Sequence, residues 1–191
     1  GNTLEFWLKK SALVSDSLTK REVIFDAYTV GTGSGTQGYG RFRIELATPG
    51  SGGAPFHITY ESGSAAGNVG PNFQQIGATT LTTATVCDGN WHHYSFAIKH
   101  DSDNAKLIAD MYVDGVHNQT KDFTSITSFG HIPTTINGVI GGLVAASDAT
   151  TTVRGYGKLS GSLDDFRFWK EKRTAEQIGR NYFREVAGGT N

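Results

Sequence analysis

Apolar and polar side chains change places at every second residue along much of the chain. Leu4, Phe6 and Leu8 alternate with Glu5, Trp7 and Lys9, and Val23, Phe25 and Ala27 alternate with Ile24, Asp26 and Tyr28. Phe42, Ile44 and Leu46 alternate with Arg41, Arg43 and Glu45, and Phe56, Ile58 and Tyr60 alternate with His57 and Thr59. Successive side chains of a strand point to opposite faces, so each run predicts a strand with one buried and one wet face, as in antiparallel sheets. Gly/Ser/Thr/Pro-rich stretches at Gly31–Gly40, Pro49–Pro55 and Gly63–Pro71 predict loops between them.

The region Trp91–Lys121 predicts a longer unit. Tyr94, Phe96 and Ile98 share one parity, Asp101-Ser102-Asp103-Asn104 is a polar turn, and Leu107, Ala109, Met111 and Val113 share one parity of the next strand. Asp114-Gly115 then separates two strand runs, the preferred chemistry of a two-residue type I′ turn, because both positions need positive φ. After a strand at Leu163–Trp169 the period changes. Thr174-Ala175-Glu176-Gln177 matches a capping box and predicts a short helix over roughly residues 175–181. The fold class expected from this pattern is all-β: a two-sheet antiparallel jelly-roll sandwich with one short C-terminal helix.

The 191 residues suit one domain, read as 1–187 with 188–191 as a linker remnant. Eleven Phe, seven Tyr and three Trp are enough to build a core. A net charge of −1 lacks the basic footprint of a nucleic-acid partner. No stretch is long and apolar enough for membrane insertion. Cys87 is the only cysteine, so no internal disulfide forms, and its apolar-leaning run favours a buried thiol over a nucleophile. The opening Gly1-Asn2-Thr3 enters a strand pattern at once and reads as a module cut from a longer protein.

Three blocks carry a resemblance. Asp88-Gly89-Asn90-Trp91-His92-His93-Tyr94 followed by Met111-Tyr112-Val113-Asp114-Gly115 resembles the "W-H-H-V/Y … L-Y-V-D-G" core of LamG-like (concanavalin A-like, laminin G type) jelly-roll domains. Gly161-Ser162-Leu163-Asp164-Asp165-Phe166-Arg167-Phe168-Trp169 with the following Arg173–Ile178 is similar to that family's closing strand and helix, and Leu4–Lys9 to its opening strand. The resemblance implies two packed antiparallel sheets. It leaves the ligand open, since lectins, adhesins, receptor modules, glycosidase appendages and virion proteins share the fold.

Candidate chemistry is sparse. Asp164 has the parity of Phe166 and Phe168, which places it facing inward, where a bare carboxylate is costly. Its partner is then a structural calcium, as the resembled family holds near this strand, or backbone N–H groups, or a Lys or Arg. Trp7, Tyr28, His57 and Tyr112 lie at polar parity and are the candidate glycan-binding residues, an aromatic platform on a solvated face; the alternative is that they pack under other elements. Asn118-Gln119-Thr120 is a glycosylation sequon. His92 and His93 are adjacent and point to opposite faces, which disfavours joint chelation.

Against an enzyme, no Glu-x-Asp-x-x-Glu strand supplies the two carboxylates about 5–5.5 Å apart that retaining glycosidases need. Arg43-Ile44-Glu45-Leu46 resembles the "R-x-E-L" strand of alginate-lyase-like sandwiches, but Gln75-Ile76-Gly77 lacks the His that follows in that family. The expectation is a non-catalytic recognition module of an extracellular, cell-surface or virion protein, with a polysaccharide or glycan as its partner. The alternatives are an adhesion or fibre domain with a protein partner, and a polysaccharide lyase or glycosidase on the same fold.

Overall fold

A computed structural model of the chain describes residues 1–13, 22–29, 40–46, 54–64, 67–77, 80–124, 135–142 and 157–184. Among them run β1 (Asn2–Lys9), β2 (Glu22–Thr29), β3 (Gly40–Leu46), β4 (Phe56–Ser64), β5 (Gly67–Ile76), α1 (Thr83–Val86), β6 (Trp91–Asp101), β7 (Lys106–Val113), β8 (Val116–Phe123), β9 (Ile136–Ile140), β10 (Gly157–Lys158), β11 (Ser162–Trp169) and α2 (Ala175–Asn181). The domain limit at residue 187, the tail 188–191 and most of the Gly31–Gly40 and Pro49–Pro55 stretches lie outside the described residues.

The strands form a five-stranded sheet ordered β11-β1-β6-β7-β8 and a six-stranded sheet ordered β10-β2-β3-β4-β5, with β9 also paired to β2. All pairings are antiparallel except the two-residue β10, which runs parallel to β2. The jelly-roll reading of the alternation therefore holds. Leu4, Phe6 and Leu8 of β1, Phe96 of β6 and Met111 of β7 face Ile44 and Leu46 of β3 and Phe56 and Ile58 of β4 in one dry interior. Phe6 and Phe96 are fully buried, and Phe56 packs its ring 4.7 Å from Tyr94 and 5.5 Å from Phe96 across the gap between sheets. Burying a large apolar side chain contributes about 1.5–3 kcal/mol, so this shared interior is the main source of stability.

Of the four register shifts among the described strands, three bear on the reading of the alternation. In β2 the register shifts between Val23 and Phe25, so Ile24 joins Phe25 in the core. In β5 it shifts beside Pro71, at an edge position that tolerates a residue without N–H. The predicted loop Gly63–Pro71 is thus mostly the two strands of a hairpin, since β4 runs to Ser64 and β5 begins at Gly67. The third shift, in β11, displaces Asp164 and is described below. One helical turn escaped the reading of the sequence: α1, capped reciprocally by Thr82 and Thr85. The expected helix α2 has the reciprocal Thr174–Gln177 cap, each backbone N–H donating to the other side chain at 2.8 and 3.2 Å.

Candidate functional site

The four aromatic and imidazole candidates fall on two different surfaces. Trp7 and Tyr112 lie on the outer face of the five-stranded sheet, and residues 170–184 cover that face. Trp7 donates its indole N–H to the Tyr182 carbonyl at 3.2 Å and packs its ring 6.0 Å from Tyr182. Tyr112 is buried with Ala97 and Ile178 of α2. These two do not form a ligand platform; they seat the C-terminal helix, the alternative that polar parity left open.

Tyr28 and His57 share the outer face of the six-stranded sheet, and the register sets out their neighbours. Tyr28 pairs with Arg41, which pairs with Glu61; Asp26 pairs with Arg43, which pairs with Thr59; Glu45 pairs with His57, which pairs with Gln75. Asp26 receives a two-pronged bond from Arg41, Nε to Oδ1 at 2.9 Å and Nη2 to Oδ2 at 2.7 Å. Arg43 donates to the same carboxylate at 3.3 Å and to Glu45 at 3.3 Å. Gln75 Nε2 lies 3.5 Å from His57 Nε2, and the Arg41 guanidinium lies 5.5 Å from the Tyr28 ring. Asp26, Arg41, Arg43, Glu45, His57, Thr59 and Glu61 are buried, whereas Tyr28 and Gln75 are half-buried. The result is a fixed net of planar donors and acceptors that presents a ring at one corner and an amide at the other. Arg41, Arg43 and Glu45 at alternate positions of one strand, opposite Asp26, were the signal for it; Tyr28 and His57 were its only members singled out as binding residues.

The family model described as Concanavalin A-like lectin/glucanases superfamily (Laminin_G_3) matches residues 1–179. The chain belongs to this superfamily. No curated protein matches it. The CBM40 domain of the Ruminococcus gnavus IT-sialidase has a similar fold at 12% identity: bound to α2,6 sialyllactose it gives a TM-score of 0.53, with 94% of this chain and 81% of that chain covered. A botulinum neurotoxin type C structure, described as dependent on two ganglioside molecules for cell entry, matches at TM-score 0.51 and 9% identity, covering 95% of this chain and 35% of that one.

The superfamily blocks have clear structural roles. Asp114 and Gly115 take φ of 48° and 78°, as the predicted turn requires, and a Cβ at Gly115 would sit 2.6 Å from the Tyr182 ring. The Asp114 carboxylate accepts the His93 backbone N–H at 2.8 Å, and its other oxygen lies 2.8 Å from His92 Nδ1. His92 Nε2 lies 3.1 Å from Asp88. The Trp-His-His and Asp-Gly blocks therefore lock together across β6 and β7. Burial alone would lower the His92 pKa, but its bonds to Asp114 and Asp88 outweigh that and raise it. His93 is lowered to about 4, by burial first and then by the charge of Arg167. Burial also pushes the Cys87 thiol up, away from nucleophile chemistry.

Asp164 requires a correction. The register between β1 and β11 shifts between Glu5 and Trp7, which pair with Arg167 and Asp164 respectively, so β11 carries one extra residue. Asp165 is that extra residue's neighbourhood, with φ of 47°. The bulge reverses parity: Leu163 and Phe166 pack on the core, and Asp164 is exposed, accepting the Asp165 backbone N–H at 2.8 Å. The inward carboxylate that motivated a calcium ion is not there. Among the described residues no group of three or more His, Cys, Asp or Glu is arranged to hold a metal. The Asp101 loop is a turn closed on itself, Asp101 accepting from Asn104. Asn118 of the sequon lies within β8 with its amide bonded to Thr80.

Proposed function

We propose that this chain is a non-catalytic carbohydrate-recognition module that works outside the cell or on its surface, and that its glycan is met by Tyr28 and Gln75, the half-buried residues at the corners of the polar net on the outer face of the six-stranded sheet. The observation that carries this reading is the paired net of Asp26, Arg41, Arg43, Glu45 and His57, which holds Tyr28 and Gln75 half-exposed at its two corners. Sugar rings are recognised by an aromatic face together with planar polar groups whose geometry is set before binding. Membership of a lectin-containing superfamily supports the reading. So does the sialyllactose bound by a module of similar fold, although at this identity that likeness speaks for the fold and the ligand stays that protein's own.

Three strand spacings and four residues of β3 separate the corners, which places Tyr28 and Gln75 on the order of 20 Å apart. The ligand is therefore a chain of several sugars.

A lyase is the competing reading, because Arg43, Glu45, His57 and Gln75 share this face. Affinity electrophoresis against neutral and uronate-containing polysaccharides separates the two. The module reading expects retardation by at least one of these polymers, lost at least tenfold in Tyr28→Ala and in Gln75→Ala, with the melting temperature of each variant within a few degrees of the parent. Release of reducing ends or of unsaturated products on incubation would replace it with the enzyme.

A further inference from the structure

At one end of the sandwich the two sheets fail to close on each other. A cleft of about 150 Å³ opens there, lined by Asn2, Ala27, Gly40, Arg41, Phe42, Tyr60, Glu61, Ile98, Ile136 and Phe168. Its walls are built by register. Ala27, Phe42 and Tyr60 form one cross-strand row of β2, β3 and β4 at core parity. Opposite them stand Ile98 of β6, which pairs with Asn2, and Phe168 of β11. Ala27 is the small member of a row whose other members are aromatic, so the row falls short of the facing sheet. Phe168 and Ile136 remain 47% and 51% exposed at the lip.

We propose that this cleft is a binding site for a single aryl ring carrying a neutral hydroxylated substituent, chemistry shared by free phenols and aryl glycosides. Size sets the first limit: a cavity of roughly this volume lined by aliphatic and aromatic side chains accommodates one benzene-sized ring. The walls set the second. The inserted group meets Phe42 and Tyr60 of one sheet on one side and Ile98 and Phe168 of the other sheet on the opposite side. A pyranose has one apolar face and a rim of hydroxyls that would be stripped of water without partners, whereas an aryl ring is apolar on both faces. The mouth sets the third. Its polar side chain is Asn2 of β1, because the neighbouring Arg41 and Glu61 turn their charged groups to the opposite face of the six-stranded sheet, where Asp26 holds Arg41 at 2.7 Å. An uncharged amide suits a hydroxyl rather than an ion. Burial raises the Tyr60 hydroxyl's pKa, so this ring enters the wall as a neutral phenol.

The site is separate from the glycan face and stands whether or not that reading survives. The test is a titration of the ¹⁵N-labelled protein with phenol, phenyl β-D-glucopyranoside and methyl β-D-glucopyranoside. Phenol and the phenyl glucoside should shift the amide signals of Ala27, Phe42 and Ile98 with a dissociation constant on the order of 1 mM, and the methyl glucoside should not. Ala27→Leu fills the gap and should weaken both aryl ligands at least tenfold. Phe168→Ala removes a half-exposed wall without opening the core, and should weaken them severalfold even if the Leu variant misfolds. Gln75→Ala should leave the aryl titration unchanged, which separates this site from the glycan face. Equal shifts from the methyl glucoside, no shifts from any compound, or undiminished aryl binding in Phe168→Ala would overturn the proposal.

Discussion

On the outer face of the five-stranded sheet, Glu5 sits between Arg173 at 2.9 Å and Arg167 at 3.6 Å. On the outer face of the six-stranded sheet, Asp26 sits between Arg41 at 2.7 Å and Arg43 at 3.3 Å. Both carboxylates are fully buried, and both carry two guanidiniums. What surrounds them differs. Around Glu5 the neighbours belong to the closing segment: Arg173 stacks 4.3 Å over Trp169, its backbone N–H donates to Thr3, and Trp7 meets Tyr182. Charge there fastens the C-terminal helix to the sheet. Around Asp26 the neighbours are further polar groups of the same sheet, running on through Glu45 and His57 to Gln75. Identical pairs of charge therefore fasten a later segment to the sheet on one face and link neighbouring strands of one sheet on the other, and only the surrounding contacts distinguish them.

The largest effects come from breaking each carboxylate in turn. Removing one partner of a buried ion pair costs about 3–5 kcal/mol, because the remaining charges stay desolvated. Glu5→Ala and Asp26→Ala should each lose stability of that size in urea unfolding. Among molecules still folded, Glu5→Ala should keep its affinity for polysaccharide and Asp26→Ala should lose it. An equal loss of affinity in both variants would erase the contrast between the faces.

Next in size is the response of the covered face to acid. The His93 imidazole lies between Trp7 and Tyr182, with centroids 5.5 and 5.6 Å away, and neither ring nitrogen has a hydrogen-bond partner. Its pKa is depressed from 6.5 to about 4. The unfolded chain takes up a proton between those values that the folded chain refuses, so stability is full above pH 6.5 and falls as the pH drops toward 4. The loss amounts to roughly 3 kcal/mol. His93→Phe keeps the ring and removes the titration, so its unfolding midpoint should change far less between pH 6.5 and 4.5.

The smallest effect has the opposite sign and belongs to neither face. His92 holds the Asp-Gly turn, with its pKa raised. Its contribution is complete below pH 6.5 and is lost as the pH rises through the raised value. For a partly exposed pair this is under about 1 kcal/mol. Thermal melts from pH 6 to 8.5 should decline less steeply in His92→Gln than in the parent, and parallel declines would remove His92 from the account.

The interior was legible because its rule is local. Phe6, Phe96 and Ile44 are core residues for the same reason that their parity is readable: a pleated strand alternates, and one side must leave water. The Asp-Gly turn and the Thr174–Gln177 cap were legible because their chemistry closes within four residues. Asp164 was misplaced because a single extra residue at the bulge reverses the side chains before it relative to Phe166 after it, and nothing local announces where that residue falls. Trp7 and Tyr112 were misread because polar parity marks the face away from the core without saying whether another element will cover it.

The order of residues by itself thus determined that this chain makes two amphipathic sheets, where its hairpin turns, and where its last helix begins. Those outcomes follow from steric and hydrogen-bonding rules acting over a few residues. Tertiary structure alone decided which outer face is closed by the C-terminal segment, which carries the linked net of charge, and that the small side chain of Ala27 leaves a cleft at the end. Each of these depends on what arrives from far along the chain, and on distances of a few ångströms between strands that are not neighbours in sequence.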